Sequence, residues 1–116
     1  MPPAIPADDG RRAVAAVRSG MGDREATATA VRYLLQLLVE KAPGHAVEVR
    51  VPPFGAVQAV GGPRHTRGTP PNVVEMDPAT WVEVATAGGW NAAVADGRIR
   101  ASGVRADLSD LLPLRP

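Results

Sequence analysis

The sequence predicts one α+β domain in which a small, mainly antiparallel sheet of four to five strands is covered by helices. Three patterns support this fold class. Apolar residues recur at helical spacing over 24–41. Residues 46–51 alternate between apolar and charged side chains, as half-buried strands do. The apolar segment 72–76 leads directly into Asp77-Pro78, which is a strong helix start.

Composition and charge narrow the classes of function. A chain of 116 residues corresponds to one domain, and its net charge of +1 provides no overall field for nucleic acid. The absence of cysteine excludes disulfides, thiolate catalysis and cysteine metal sites. No apolar run reaches the roughly 18 residues of a membrane span, and the start MPPAIPADD lacks the features of a secretory signal. We therefore expect a cytoplasmic protein.

The N-terminal region is predicted to comprise a tail and a short helix. Residues 1–7, which include three prolines, are predicted to form a flexible tail that precedes a single domain over residues 8–116. Asp8 or Asp9 is the expected cap of the first helix, because a carboxylate there accepts hydrogen bonds from unpaired backbone N–H groups. Gly20-Met21-Gly22 is expected to end that helix.

The long second helix has clearer boundaries. Asp23 is the expected N-cap, and Pro43-Gly44 stops the apolar periodicity that runs from about Arg24 to Lys41. The apolar positions define one face, and Arg32 and Glu40 fall towards the other. The sequence thus predicts an amphipathic helix that covers one side of the sheet.

Two strands follow the long helix. Val47, Val49 and Val51 point to one face of the first strand, and Glu48 and Arg50 point to the other. Pro52-Pro53 ends this strand, because proline has no N–H group for a strand ladder. Residues 54–60 are predicted to form a second strand, paired with the first as a hairpin or as an offset pair.

The C-terminal third is predicted to contain two strands and three helices. A strand at 72–76 precedes a helix capped by Asp77, and Gly88-Gly89 separates that helix from a short Ala-rich one. A fourth strand is expected at 98–101, between an Asp-Gly turn and a Ser-Gly turn. A final helix is expected up to Pro113. We expect these helices to cover the side of the sheet opposite the long helix.

The order of these C-terminal elements resembles the sterol carrier protein family over residues 72–112. The resemblance rests on the Trp of the first helix, the Ala-rich second helix, the D-G and S-G turns around the strand, and the Leu-rich end. The long helix and the Val-rich strands also suit the family order, and the chain looks closest to a compact bacterial branch. The family usually has five strands, whereas four are clear here. The resemblance implies non-catalytic binding of a fatty acyl chain or other lipid in an apolar cavity.

Eight apolar residues of the C-terminal third are the candidate lining of that cavity. Tryptophan suits the rim of a cavity, since it combines a large contact area with one N–H that needs a partner. The alternative is that the same residues simply close the core. The candidate lining residues are Trp81, Trp90, Val94, Ile99, Val104, Leu108, Leu111 and Leu112.

The loop at residues 61–71 is the most unusual polar feature. Arg64, His65 and Arg67 bring positive charge together among glycines and prolines. Arginine side chains and glycine N–H groups suit a carboxylate or phosphate, so the loop is a candidate for binding a lipid head group or a protein partner. The alternative is a loop that merely connects two strands. Its glycines match no nucleotide-binding fingerprint.

The sequence does not predict an enzyme. His65 is the best candidate for acid–base chemistry, but no serine or cysteine nucleophile accompanies it, and His45 is expected at the surface. The histidines and carboxylates lack metal-ligand spacing, and no cofactor is expected. Two hypotheses remain: binding of a lipid or fatty acyl ligand, or a protein-interaction or regulatory module with a filled core and a basic docking loop.

Overall fold

The computed structural model describes residues 3–62 and 72–116, and over these residues the fold is α+β. Four α-helices, a four-stranded sheet and one 3₁₀ turn make up the described part of the chain. The elements in chain order are α1 (Ala7–Arg18), α2 (Arg24–Lys41), β1 (Val47–Val51), β2 (Gly55–Ala59), β3 (Asn72–Met76), α3 (Pro78–Thr86), α4 (Trp90–Ala95), β4 (Ile99–Ser102) and the 3₁₀ turn (Ser109–Leu111).

The sheet is mixed, with the strand order β2-β1-β3-β4. β1 and β2 form an antiparallel hairpin in which Val49 lies opposite Val57. β1 pairs in parallel with β3, where Val49 lies opposite Val74, and β3 pairs antiparallel with β4. Two of the three pairs are therefore antiparallel, which confirms the predicted fold class. Each strand lies within a residue or so of its predicted position.

Two predicted helix caps are confirmed. Asp23 Oδ1 accepts a hydrogen bond from the Ala26 N–H at 2.8 Å, and Asp77 Oδ1 accepts one from the Thr80 N–H at 2.7 Å. The prediction that Asp8 or Asp9 caps α1 is wrong. The helix already begins at Ala7, and both carboxylates lie in its first turn, where they still face the positive end of the helix dipole.

The helices and one side of the sheet enclose a single core. This arrangement differs from the prediction that helices cover both sides of the sheet. Val47, Val49 and Val51 are buried and belong to the same core cluster as buried residues of all four helices. The alternate residues of the strands form a polar face, where Arg50 pairs with Glu48 and Arg100 pairs with Glu75. Alternation gives a strand only one apolar side, so the sheet has one side to bury.

The N-terminal segment is packed onto α2. The Ile5 N–H donates to Gln36 Oε1 at 2.9 Å, and Gln36 Nε2 donates to the Ile5 carbonyl at 3.2 Å. Gly10 of α1 is buried directly against the ring of Tyr33. The described tail residues therefore contact the domain, and the division at residue 7 stays a prediction.

The predicted final helix is absent. Residues 103–116, which we call the C-terminal strap, contain only the three-residue 3₁₀ turn Ser109–Leu111 as regular structure. The Asp107 carboxylate accepts a hydrogen bond from the Ser109 N–H at 2.8 Å, a local turn contact that competes with helix formation. Apolar residues in this segment are therefore not arranged on a helical face.

Candidate ligand-binding site

The C-terminal strap closes one end of the core. Three hydrogen bonds attach it to regular elements: the Arg105 N–H donates to Asn72 Oδ1 at 2.9 Å, Lys41 Nζ donates to the Leu111 carbonyl at 2.6 Å, and the Leu114 N–H donates to the Ala85 carbonyl at 2.7 Å. Asn72 is the first residue of β3, Lys41 is the last of α2, and Ala85 is the last but one of α3. The strap thus spans the end at which α2 and α3 finish and β3 begins.

The strap contributes apolar side chains to the core beneath it. Ala106, Leu108 and Leu114 are buried, with Leu108 only 1% exposed. Leu111 and Leu112 are half-buried and pack against the same core cluster. An irregular segment therefore supplies the apolar contacts that the sequence had assigned to a helix.

The structure brings six of the eight predicted lining residues into this core or against it. Trp81, Trp90, Ile99 and Leu108 are buried, and Leu111 and Leu112 pack against the core cluster from the strap. Val94 is 39% exposed and Val104 is 100% exposed, so neither lies inside. Val104 was placed by helical periodicity, which does not apply to a segment that is not a helix.

Trp81 lies at the interface of two helices and not at a rim. Its side chain is fully buried, and its Nε1–H donates to the Val31 carbonyl of α2 at 3.2 Å. This bond gives the single polar atom of the indole a partner, as a buried tryptophan requires. Trp81 therefore ties α3 to α2 in the centre of the core.

Two open depressions lie away from the predicted lining. One, of about 610 Å³, lies between the N-terminal segment, α1 and the first turns of α2. The other, of about 220 Å³, lies on the polar face of the sheet around Val73, Glu75 and Arg100. Neither includes a predicted lining residue.

Charged groups near the candidate site lie at the surface. Arg98 Nε donates to the carboxylate of Asp96 at 3.1 Å, and its Nη1 donates to Glu83 Oε2 at 3.0 Å. The hydrogen bond from Arg98 lowers the pKa of Asp96 below its ordinary value, and the same bond raises the pKa of Arg98. These groups fasten the turn between α4 and β4 to α3.

The described residues offer no metal centre and no spanning helix. Over residues 3–62 and 72–116, no group of three or more His, Asp or Glu side chains is placed to hold a metal ion. Within the same ranges no helix has the length and apolar character needed to cross a membrane.

The basic-loop prediction falls outside the described part of the chain. Arg64, His65 and Arg67 lie in residues 63–71, which the structure does not describe. The described residues on either side both lie near Arg105 of the strap. Asn72 accepts its backbone N–H, and a Cβ placed on Gly62 would lie 3.4 Å from Arg105 Nη1.

Sequence reasoning missed the polar residues that hold the strap. Asn72 is 2% exposed, and its Nδ2 also donates to the Ala46 carbonyl at 2.8 Å. A signal was present in each case: Asn72 is a polar residue in an apolar strand, and Lys41 is the only lysine in the chain. Neither signal identifies the strap as the partner of Asn72 or Lys41, because these contacts depend on how distant segments pack.

Comparison with known families gives a match. The family model described as bacterial SCP ortholog matches residues 23–114, which is most of the chain. The chain belongs to the bacterial SCP ortholog family. The match begins at Asp23, the N-cap of α2, and ends within the strap, so α1 lies before the part that defines the SCP family. The comparison with curated proteins gave no match.

Proposed function

We propose that this SCP family member binds a hydrophobic ligand, such as a fatty acyl chain or another lipid, without catalysing a reaction on it. The observation that carries the proposal is the family match over residues 23–114. The buried apolar residues beneath the C-terminal strap agree with it. We place this activity in the cytoplasm, in keeping with a chain that has no cysteine.

The binding mechanism is transfer of an apolar chain out of water. Each buried CH₂ group contributes about 0.8 kcal/mol, so a long acyl chain binds when it buries more apolar surface than the displaced side chains lose. The strap is the segment that moves to admit the ligand in this proposal, since it has almost no regular structure and three hydrogen bonds hold it to the regular elements described above. Its movement withdraws Leu108 and Leu114 from the core cluster that also contains Trp90 and Ile99.

A second function is favoured by a different observation. Trp81, Ile99 and Leu108 are at most 2% exposed, so the compartment is filled by side chains. A filled core suits a protein-interaction or regulatory module, in which the loop that contains Arg64, His65 and Arg67 docks to a partner. The two functions differ in whether an apolar ligand enters the core.

Titration with fatty acids separates these functions. Trp81 and Trp90 belong to the same core cluster, so entry of a fatty acid should change tryptophan emission saturably, with one or a few molecules per chain. The variant Leu111→Phe should weaken binding, because the larger ring occupies space needed by the ligand. Val104→Leu enlarges an exposed residue of the same strap and should bind as the wild type does.

The contrary result is equally specific. If fatty acids from decanoic to stearic acid give no saturable change, and native mass spectrometry of the purified protein finds no lipid, the lipid-binding proposal is wrong. Capture of a defined protein partner that depends on Arg64 and Arg67 would then support the interaction module.

A further inference from the structure

Lys41 is the one lysine of the chain, and its ammonium group contacts the strap. It is the last residue of α2, where the negative end of the helix dipole favours a cation. Its exposed side chain reaches a residue 70 positions away in sequence and donates to the Leu111 carbonyl at 2.6 Å. Lys41 therefore fastens the strap to the end of α2.

The partner of Lys41 is neutral, although the side chain carries a full charge. Over residues 3–62 and 72–116, no carboxylate forms an ion pair with Lys41, whereas Arg50 and Arg100 each have one and Arg98 has two. A carbonyl oxygen offers only a partial negative charge, and a carboxylate makes a stronger hydrogen bond with an ammonium group. A ligand carboxylate would thus be a better partner than Leu111.

Opening of the strap connects these observations. Displacement of Leu108 and Leu114 also carries the Leu111 carbonyl away from Lys41, because all three lie on one segment. The apolar chain of the ligand then lies in the core, and its polar end lies at the mouth where α2 ends. Lys41 is the described cation already bonded across that mouth.

We propose that Lys41 is the head-group anchor of the site and exchanges the Leu111 carbonyl for the carboxylate of a single-chain fatty acid. This inference rests on the proposed lipid-binding function and identifies the class of ligand. Recognition would then select an anionic amphiphile over a neutral one of the same chain length. The same exchange would couple ligand binding to opening of the strap.

Paired ligands test the anchor directly. Laurate and dodecanol have the same chain length, and only laurate carries a carboxylate. By tryptophan emission, the wild type should bind laurate about fivefold more tightly than dodecanol, a preference of the size that a partly exposed ion pair provides. Lys41→Gln should lose this preference and still bind dodecanol, and Lys41→Arg should keep most of it. Arg18→Gln, which removes a charge from the end of α1, should behave as the wild type.

A second measurement uses the wild-type chain, so it does not depend on the folding of any variant. The side chain of Lys41 can be acetylated by an amine-reactive ester and quantified by site-resolved mass spectrometry, separately from the N-terminal amine. Saturating laurate should slow this acetylation several-fold, because its carboxylate covers Nζ. Dodecanol should not slow it, because the open strap leaves Nζ without a partner.

The outcomes separate the anchor from the binding function. A laurate preference that persists in Lys41→Gln, or an acetylation rate unchanged by bound laurate, would overturn the anchor and leave lipid binding intact. Equal wild-type affinity for laurate and dodecanol would do the same. If the wild type binds neither compound, the proposed function fails and the anchor fails with it.

Discussion

At the residue scale, single side chains join segments that are distant in sequence. Asn72 is buried, and its two side-chain polar atoms both have backbone partners, Ala46 ahead of β1 and Arg105 in the strap. A buried amide without partners costs free energy, so its full satisfaction fixes the positions of both partners. Trp81 has a similar role between α3 and α2.

Leu108 is the residue whose substitution best tests the packing of the strap. Leu108→Asp places an unpaired charge in the core and removes a buried apolar side chain, so we expect a loss of at least about 3 kcal/mol in the free energy of unfolding. Urea denaturation measures this loss. Val104→Asp is the matched control, since Val104 belongs to the same strap and is fully exposed. Equal stabilities of the two variants would show that the strap does not pack on the core.

At the element scale, α1 is an addition to the part that matches the family. It lies before Asp23, where the match begins, and it packs along α2 with Ala13 and Val14 buried. Its close approach depends on Gly10, where a Cβ would lie 2.2 Å from Tyr33 Cγ. Glycine at that position sacrifices helix propensity and permits contact between the backbone of α1 and the aromatic ring.

Gly10→Ala is therefore expected to destabilise the protein, although alanine is the better helix former by about 1 kcal/mol. The added methyl must displace the Tyr33 ring, and such overpacking typically costs about 1–3 kcal/mol. Thermal unfolding of Gly10→Ala, Tyr33→Leu and the double variant forms a double-mutant cycle. The smaller Leu should relieve the clash, so the double variant should be more stable than the sum of the two losses predicts. Simple additivity would contradict the contact.

At the scale of the whole molecule, one apolar side of the sheet faces all the helices and the other side carries paired charges. Glu48 pairs with Arg50, and Glu75 pairs with Arg100 across β3 and β4. Arg98 makes a further charged contact, which joins Asp96 and Glu83 at the surface. Several charges of the described surface thus form pairs of opposite sign, in keeping with a net charge near zero.

These pairs predict how stability changes with acid. The pKa of Asp96 is lowered from 3.8 by its hydrogen bond with Arg98, so the folded state binds its proton less readily than the unfolded state does. The stabilisation is present above the unfolded value and disappears as the pH falls through the lower folded value. Asp107, whose pKa is lowered by hydrogen bonds with Ser109, has the same sign.

Arg98→Gln tests this sign. At neutral pH the variant should be less stable than the wild type. The difference should shrink as the pH falls below about 4, where the unfolded chain takes up the Asp96 proton, and through the lower folded pKa of Asp96. Denaturant unfolding across this range provides the measurement. Arg18→Gln removes the same charge outside the described ion pairs, so its difference from the wild type should stay constant. A stability difference between wild type and Arg98→Gln that increases at low pH would contradict the assigned ion pair.

The sequence by itself determined the fold class, the family and most element boundaries, because these depend on local patterns. The carboxylates of Asp23 and Asp77 cap the helices that directly follow them, and alternation in residues 47–51 assigns each side chain to a face. Such signals act between neighbours in the chain, so they can be read without knowledge of the tertiary structure.

The tertiary structure alone decided how the candidate site is closed. Periodicity suggested a final helix with Val104 inside, whereas the segment is an irregular strap with Val104 exposed and Leu108 and Leu114 buried. The contact between Lys41 and Leu111 joins residues 70 positions apart. Contacts of this kind arise only when separate elements pack around a shared core, because no local propensity specifies which distant residue fills a given space.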